Sequence, residues 1–237
     1  MEYGDGTRSV WAGEEHPLWE RSTQVPIAQT VSFGYQDVDE WMAVALGEET
    51  GHIYSRNTNP TVAVFEDRIA ALERAEAATS FATGMAAISG TLRTLLGPGD
   101  RVVSVTDTYG GTTKLFLEFL PRDGVIVDLI STDDHVAIEA SVARGCKVLY
   151  LETPTNPTLK ILDLERLAAA GHAVGATVVV DNTFATPINQ RPLALGADLV
   201  VHSATKFLGG HGIALVGRGH VGQAFGIDDV VDERLQE

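Results

Sequence analysis

Cysteine is almost absent from this sequence, since Cys146 is the single one among 237 residues. An intrachain disulfide is therefore excluded, and a reducing compartment is expected. Basic residues are also scarce: 17 lysines and arginines stand against 32 aspartates and glutamates, which gives a formal net charge of -15. A chain with this charge is not expected to bind nucleic acid or an anionic membrane surface.

Long uncharged apolar runs are missing as well. No run approaches the ~20 residues that are needed to span a bilayer. The acidic segment 1–20 lacks the basic and then apolar pattern of a signal peptide. We therefore expect a cytoplasmic protein without a membrane partner, whose hydrophobic content of 44% is enough for a sizeable core.

From about residue 60 onward, strand-like and helix-like segments alternate. The segment 163–175 has apolar residues at helical spacing, and similar stretches separate short β-branched runs. Apolar strands that alternate with helices predict an α/β fold, in which helices cover both faces of a mostly parallel sheet. The predicted strands lie in the runs RVVSV, GVIVDLI, KVLYLE, TVVVD and DLVVHS.

The first part of the chain does not follow this alternation. Residues 1–58 contain scattered aromatic residues and prolines, with at most a short helix near 37–46. A segment of this kind more often lies across another surface than forms its own core. We therefore predict an N-terminal arm over 1–58 that contacts a neighbouring subunit, and a large domain over 59–237.

Polar residues follow three of the predicted strands. Asn156 and Lys206 come after KVLYLE and DLVVHS, and Asp181 is the last residue of TVVVD. Each has an ordinary explanation, as a turn residue, a loop cap and a solvent-exposed lysine. Because ligands of open α/β sheets bind beyond the carboxyl ends of the strands, however, three such residues together predict one shared crevice.

This set of groups matches the needs of pyridoxal 5'-phosphate (PLP). A lysine, here Lys206, holds this cofactor as a Schiff base, while a carboxylate, here Asp181, keeps the pyridine nitrogen protonated. Once a substrate displaces it, the lysine amine is free to move protons. The phosphate needs donors, and the predicted helix that starts in ATGMAA at 82–87 offers backbone N–H groups and a positive dipole end.

Seven motifs in family order resemble the transsulfuration enzymes of cysteine and methionine metabolism. These enzymes include cystathionine γ-synthase, cystathionine γ-lyase, homoserine-ester sulfhydrylases and methionine γ-lyase. The resemblance covers roughly 21–212 and implies the large domain of a fold-type I PLP-dependent transferase. It is carried by QVPIAQTVSF, YSRNTNPT, ATGMAAI, DTYGGT, LETPTNP, VVVDNTFATP and HSATKFLGGH.

The resemblance implies roles around the cofactor ring. Lys206 resembles the Schiff-base lysine, and Asp181 resembles the partner of the pyridine nitrogen. Tyr109 matches an aromatic residue that stacks on the ring and helps with proton transfer. Asn156 matches the residue that hydrogen-bonds the phenolic oxygen of the ring.

The resemblance also implies a phosphate site that two subunits share. Tyr54 and Arg56 match a pair that reaches the phosphate of the neighbouring subunit, and a guanidinium suits a dianionic phosphate. The active site then requires a homo-oligomer, either a dimer or a tetramer. Four further residues match the cradle that holds the phosphate within one subunit: Gly84, Met85, Ser203 and Thr205.

The implied chemistry is γ-replacement or γ-elimination on sulfur amino acids or homoserine esters. Methionine γ-lyases typically carry a cysteine two residues after the stacking tyrosine, where this chain has Gly111. We therefore favour a cystathionine γ-synthase-like enzyme. Cystathionine γ-lyase follows closely, and O-acylhomoserine sulfhydrylase and methionine γ-lyase stay open as alternatives.

The resemblance weakens after residue 212, and the smaller C-terminal domain that supplies a substrate-binding arginine in the family is expected to be missing. A second hypothesis is therefore a PLP-binding fragment, or one half of a split enzyme, without turnover alone. A third is a PLP enzyme that acts on other bonds, such as an aminotransferase or a Cβ–S lyase. No metal is predicted, because His202 and His211 have no third ligand near them.

Overall fold

The computed structural model describes residues 4–12 and 24–210. No helix within these ranges is long and apolar enough to cross a membrane. The chain divides into two compact units, Met1–Ala71 and Leu72–Glu237, which are described separately. His211 and the segment after residue 212, on which two of the expectations above fall, lie outside the described residues.

The first unit consists of short helices and extended chain. Its helices are α1 (Asp5–Trp11), α2 (Val38–Ala45) and all but the last two residues of α3 (Pro60–Glu73). The Thr61 hydroxyl donates to the carbonyl of Pro26 at 2.8 Å and accepts from the N–H of Ala28 at 2.8 Å. The extended chain is therefore attached to the start of α3 by hydrogen bonds.

The second unit is built on a five-stranded sheet with the order β2-β1-β3-β4-β5. Every neighbouring pair is parallel, so all strands end at the same edge. This confirms the predicted α/β fold, and each strand lies in one of the five β-branched runs. The strands are β1 (Arg101–Val105), β2 (Ile126–Ile130), β3 (Val148–Glu152), β4 (Thr177–Asp181) and β5 (Leu199–Val201).

One helix of this unit precedes the first strand, and the others connect the parallel strands. Side chains of Thr83, Asp134 and Asp163 cap three of these helices by accepting a hydrogen bond from the N–H three residues later. The helices are α4 (Gly84–Leu95), α5 (Gly110–Lys114) with a following π-helical turn (Leu115–Phe119), α6 (His135–Val142), α7 (Leu164–His172), α8 (Thr186–Asn189) and a 3-10 turn (Pro192–Leu195).

The core consists of two apolar layers, one on each face of the sheet. Alternate strand residues such as Val102 and Val179 pack with Leu92 of α4. The strand residues that alternate with these, such as Val178, face the other side of the sheet and pack with Leu167 of α7. Both faces are therefore covered, as the mostly apolar strands predict. Cys146 packs against the second of these layers.

Candidate active site

A cavity of about 190 Å3 opens in the second unit, at the edge where the strands end. It lies where polar residues follow the last strand positions, as expected for an open parallel sheet. Eight of the ten predicted site residues line it: Gly84, Met85, Tyr109, Asn156, Asp181, Ser203, Thr205 and Lys206. The other two, Tyr54 and Arg56, belong to the first unit, where both are exposed.

Asp181 is the last residue of β4 and forms part of the cavity wall. The residue is only 5% exposed. Its Oδ1 accepts from the N–H of Thr183 at 3.0 Å, and its Oδ2 accepts from the Tyr150 hydroxyl at 3.4 Å. Burial raises the pKa of Asp181, and the hydrogen bonds from Thr183 oppose that rise. A cation beside this carboxylate would relieve much of the cost of burying it.

Lys206 lies in the turn that follows β5. Its N–H donates to the carbonyl of Ser203 at 3.1 Å, and its carbonyl accepts from the N–H of Gly210 at 2.9 Å. Gly209 comes so close to this turn that an added Cβ would lie 2.5 Å from the carbonyl oxygen of Ala204. The glycines after the lysine therefore close the turn, and the exposed side chain lines the cavity.

The start of α4 forms another wall of the cavity. A Cβ on Gly84 would lie 2.8 Å from the Cβ of Ser203, so only glycine lets the helix start this close to the turn after β5. The Thr83 side chain caps the helix, and the hydroxyl-bearing residues Ser203 and Thr205 lie beside it. N–H groups at a helix start together with hydroxyl donors suit a phosphate. This is the side of the cavity that fits the phosphate of PLP.

Tyr109 precedes α5 and is 46% exposed. An added Cβ at Gly111 would lie 2.7 Å from Cε1 of the Tyr109 ring and 2.9 Å from the Met85 sulfur. Gly111 therefore leaves the space that the tyrosine ring takes up beside the cavity. A side chain at position 111 would require the ring or the methionine to move.

Glu152 is a residue of this site that the sequence did not single out. It ends β3, is 5% exposed, lines the cavity and pairs in register with Asp181. Its two oxygens accept from the N–H groups of Tyr109 and Asn156, at 2.8 and 2.9 Å. Burial and, after it, the charge of Asp181 raise the pKa of Glu152 to about 8. The signal in the sequence is a carboxylate that ends an apolar strand run.

His202 does not line the cavity but pairs with a buried glutamate instead. Its Nε2 lies 2.6 Å from Oε1 of Glu73, and both residues are buried. The same Glu73 oxygen accepts from Nδ2 of Asn182 at 2.9 Å. Over the described ranges 4–12 and 24–210, no cluster of three or more histidine, cysteine or acidic side chains could hold a metal ion.

Comparisons with known proteins agree with this geometry. The family model described as Cys/Met metabolism PLP-dependent enzyme matches residues 6–226. An L-methionine gamma-lyase of Fusobacterium nucleatum is 44% identical over 91% of this chain. A Herpetosiphon aurantiacus protein assigned as a cystathionine gamma-synthase is 40% identical over 89% of it. This chain covers 54% of the first and 63% of the second, so it spans little more than half the length of these relatives.

A solved structure supports the same fold and cofactor. It is that of a Campylobacter jejuni protein assigned as an O-acetylhomoserine (thiol)-lyase, which contains N'-pyridoxyl-lysine-5'-monophosphate. The TM-score is 0.87 and the identity 29%, over 98% of this chain and 57% of that one. The predicted fold, a fold-type I PLP-dependent large domain, is confirmed by such neighbours.

Proposed function

Because the chain belongs to the Cys/Met metabolism PLP-dependent enzyme family, we propose that its cavity binds PLP for γ-replacement or γ-elimination on sulfur amino acids or homoserine esters. The observation that carries this proposal is that Lys206 and the buried Asp181 line one cavity. The activity that we favour is that of a cystathionine γ-synthase, in which a thiol replaces the leaving group at Cγ.

The residues of the cavity would divide the work between holding the cofactor and moving protons. When bound, PLP supplies a cationic ring that stores the electrons left behind when a substrate proton departs. Asp181 would lie against the pyridine nitrogen, and Lys206 would hold the cofactor through its amine. Released from that bond, the same amine would move protons at Cα and Cβ of the substrate. Tyr109 would stack on the ring, and Asn156 would donate to its phenolic oxygen.

The phosphate would lie between the start of α4 and the turn after β5. Gly84, Met85, Ser203 and Thr205 would hold it there. The lining of this cavity contains no arginine among the described residues. Arg56 is exposed in the first unit, where its Nη1 donates to the adjacent Asn57 side chain at 3.3 Å. We propose that the protein is a homo-oligomer, in which Tyr54 and Arg56 reach the phosphate of a neighbouring subunit.

Mixing two inactive variants tests this shared site. Arg56→Ala and Lys206→Ala are each expected to lack turnover, but a mixed dimer has one site with both residues intact. Random pairing should therefore restore about a quarter of the wild-type sites. The restored sites are counted by turnover, because Arg56→Ala alone still carries the lysine that borohydride would fix to PLP. Lys206→Ala mixed with wild type controls for simple dilution, and no recovery in the first mixture would show that Arg56 does not act in trans.

Substrate assays separate the candidate activities. With an O-acylhomoserine and cysteine, we expect the protein to form cystathionine, whereas a cystathionine γ-lyase or methionine γ-lyase would release an α-keto acid and ammonia from its own substrate. Products are measured by mass spectrometry, and heat-denatured protein is the control. Release of products only from methionine would overturn the synthase assignment.

A second candidate function is PLP binding without turnover by this chain alone. It is favoured by the length comparison, since the chain covers 54% of one curated relative and 63% of another. PLP that borohydride fixes to the protein, with no product from any of the substrates above, would identify this case. No fixed PLP at all would contradict both candidates.

A further inference from the structure

The buried carboxylate of Glu152 joins two loops at the edge of the cavity. We propose that Glu152 is a positioning residue, which fixes the backbone of Tyr109 and Asn156 so that their side chains face the cofactor. The functional consequence rests on the proposed function, because Tyr109 and Asn156 are placed beside the cofactor there. The positioning itself can be measured without the cofactor.

The two hydrogen bonds connect segments that follow different strands. Tyr109 lies in the loop after β1, and Asn156 lies in the loop after β3. Glu152 Oε2 accepts from the first N–H at 2.8 Å, and Oε1 accepts from the second at 2.9 Å. Because each oxygen serves one loop, a single side chain sets the spacing between the two.

Tyr109 depends on this bond for its backbone N–H. It is the residue that precedes α5, and its own side chain makes no capping hydrogen bond. The ring that follows is 46% exposed and occupies the space beside Gly111. If the N–H loses its acceptor, the ring is free to shift relative to the cavity. A misplacement of about 1 Å can cost about a hundredfold in rate.

The position of the carboxylate argues against a role in packing alone. Glu152 is 5% exposed and stands in register with Asp181, so a second acidic group is buried beside the first. Such a pair is unfavourable when both groups are ionised. An apolar residue would fill the space without this cost, but it could not accept two hydrogen bonds. The need for two acceptors explains why a carboxylate stands here.

The chemistry of glutamine makes it the sharpest replacement. A glutamine side chain has nearly the shape of glutamate but only one acceptor oxygen, and its amide group is a donor. It can therefore satisfy one of the two N–H groups and must face the other with a donor. Alanine removes both acceptors. Glu118→Gln is the control, because that residue is exposed and outside the cavity lining.

Amide hydrogen exchange, followed by mass spectrometry at single-residue resolution, tests the proposal on the cofactor-free protein. In Glu152→Gln, we expect the N–H of Tyr109 or Asn156 to exchange at least about tenfold faster, and in Glu152→Ala both should do so. The β4 amides should keep their wild-type rates. Wild-type rates at both loop amides would overturn the proposal, as would faster exchange throughout the sheet, which would mean general destabilisation.

A second readout reports on the cofactor environment. The visible circular dichroism of bound PLP depends on the groups that face its ring, and we expect it to change in Glu152→Gln but not in Glu118→Gln. If wild-type protein binds no PLP, the proposed function fails while the exchange result still decides the positioning role. An unchanged dichroism signal in Glu152→Gln would remove the link from Glu152 to the cofactor.

Discussion

Lys206→Ala is expected to abolish covalent attachment of PLP and to lower turnover at least about a thousandfold. The cavity contains no other lysine within the residues that the structure describes. Without the amine, the cofactor loses its covalent anchor, and the substrate protons lose their carrier. Attachment is measured as the gain in intact mass after incubation with PLP and reduction with borohydride.

The substitution should leave the fold intact, which makes the result interpretable. The turn around Lys206 is held by backbone hydrogen bonds to Ser203 and Gly210, and these do not involve the amine. The side chain is exposed, so we expect the free energy of unfolding to change by no more than about 0.5 kcal/mol. Lys114→Ala is the control, because that exposed lysine is outside the cavity lining. A wild-type mass gain in Lys206→Ala would show that another amine holds the cofactor.

The fold was predictable because the apolar pattern is simple. Each of the five β-branched runs contains one strand, and the mostly apolar character of the central strands follows from burial on both faces of the sheet. The convergence of Asn156, Asp181 and Lys206 was predictable for a related reason. Parallel strands end at one edge, so residues that are distant in the chain become neighbours there.

Glu152 was not predictable from the sequence in the same way. Its role depends on which backbone N–H groups lie within reach, and one of them belongs to Tyr109, 43 residues away. Its neighbour Asp181 is fixed by strand register, which the sequence does not specify. The buried pair of Glu73 and His202 has the same origin, since 129 residues separate its members. Sequence patterns show which residues are polar, whereas the hydrogen-bond partners of those residues are set by the three-dimensional structure.

Asp181→Asn is expected to weaken PLP binding and turnover while it stabilises the cofactor-free protein at alkaline pH. The loss of function follows because a neutral amide cannot compensate the charge of a protonated pyridine nitrogen. We expect turnover to fall at least about a hundredfold, as for the removal of other groups that stabilise charge in an active site. Equilibrium dialysis measures the affinity for PLP, and the substrate assays above measure turnover.

The gain in stability follows from the neighbouring Glu152. Its pKa in the folded protein is raised from 4.5 to about 8, first by burial and then by the charge of Asp181. Because the folded state retains a proton that the unfolded state releases, this stabilisation is complete below about pH 4.5 and is lost as the pH rises to about 8. The raised pKa of Asp181 acts in the same direction. With asparagine at position 181, the pKa of Glu152 should fall towards 4.5. The variant should therefore lose less stability than wild type as the pH rises.

Urea unfolding of the cofactor-free protein at pH 5 and pH 9 measures this difference. We expect the free energy of unfolding to fall less between the two pH values in Asp181→Asn than in wild type, by on the order of 2 kcal/mol. Asp123→Asn, at an exposed carboxylate that pairs with Arg93 outside the cavity lining, is the control substitution. If Asp181→Asn and wild type lost the same stability, the two buried carboxylates would not be coupled. The expected trade between stability and cofactor binding would identify Asp181 as a charge that folding tolerates because the cofactor needs it.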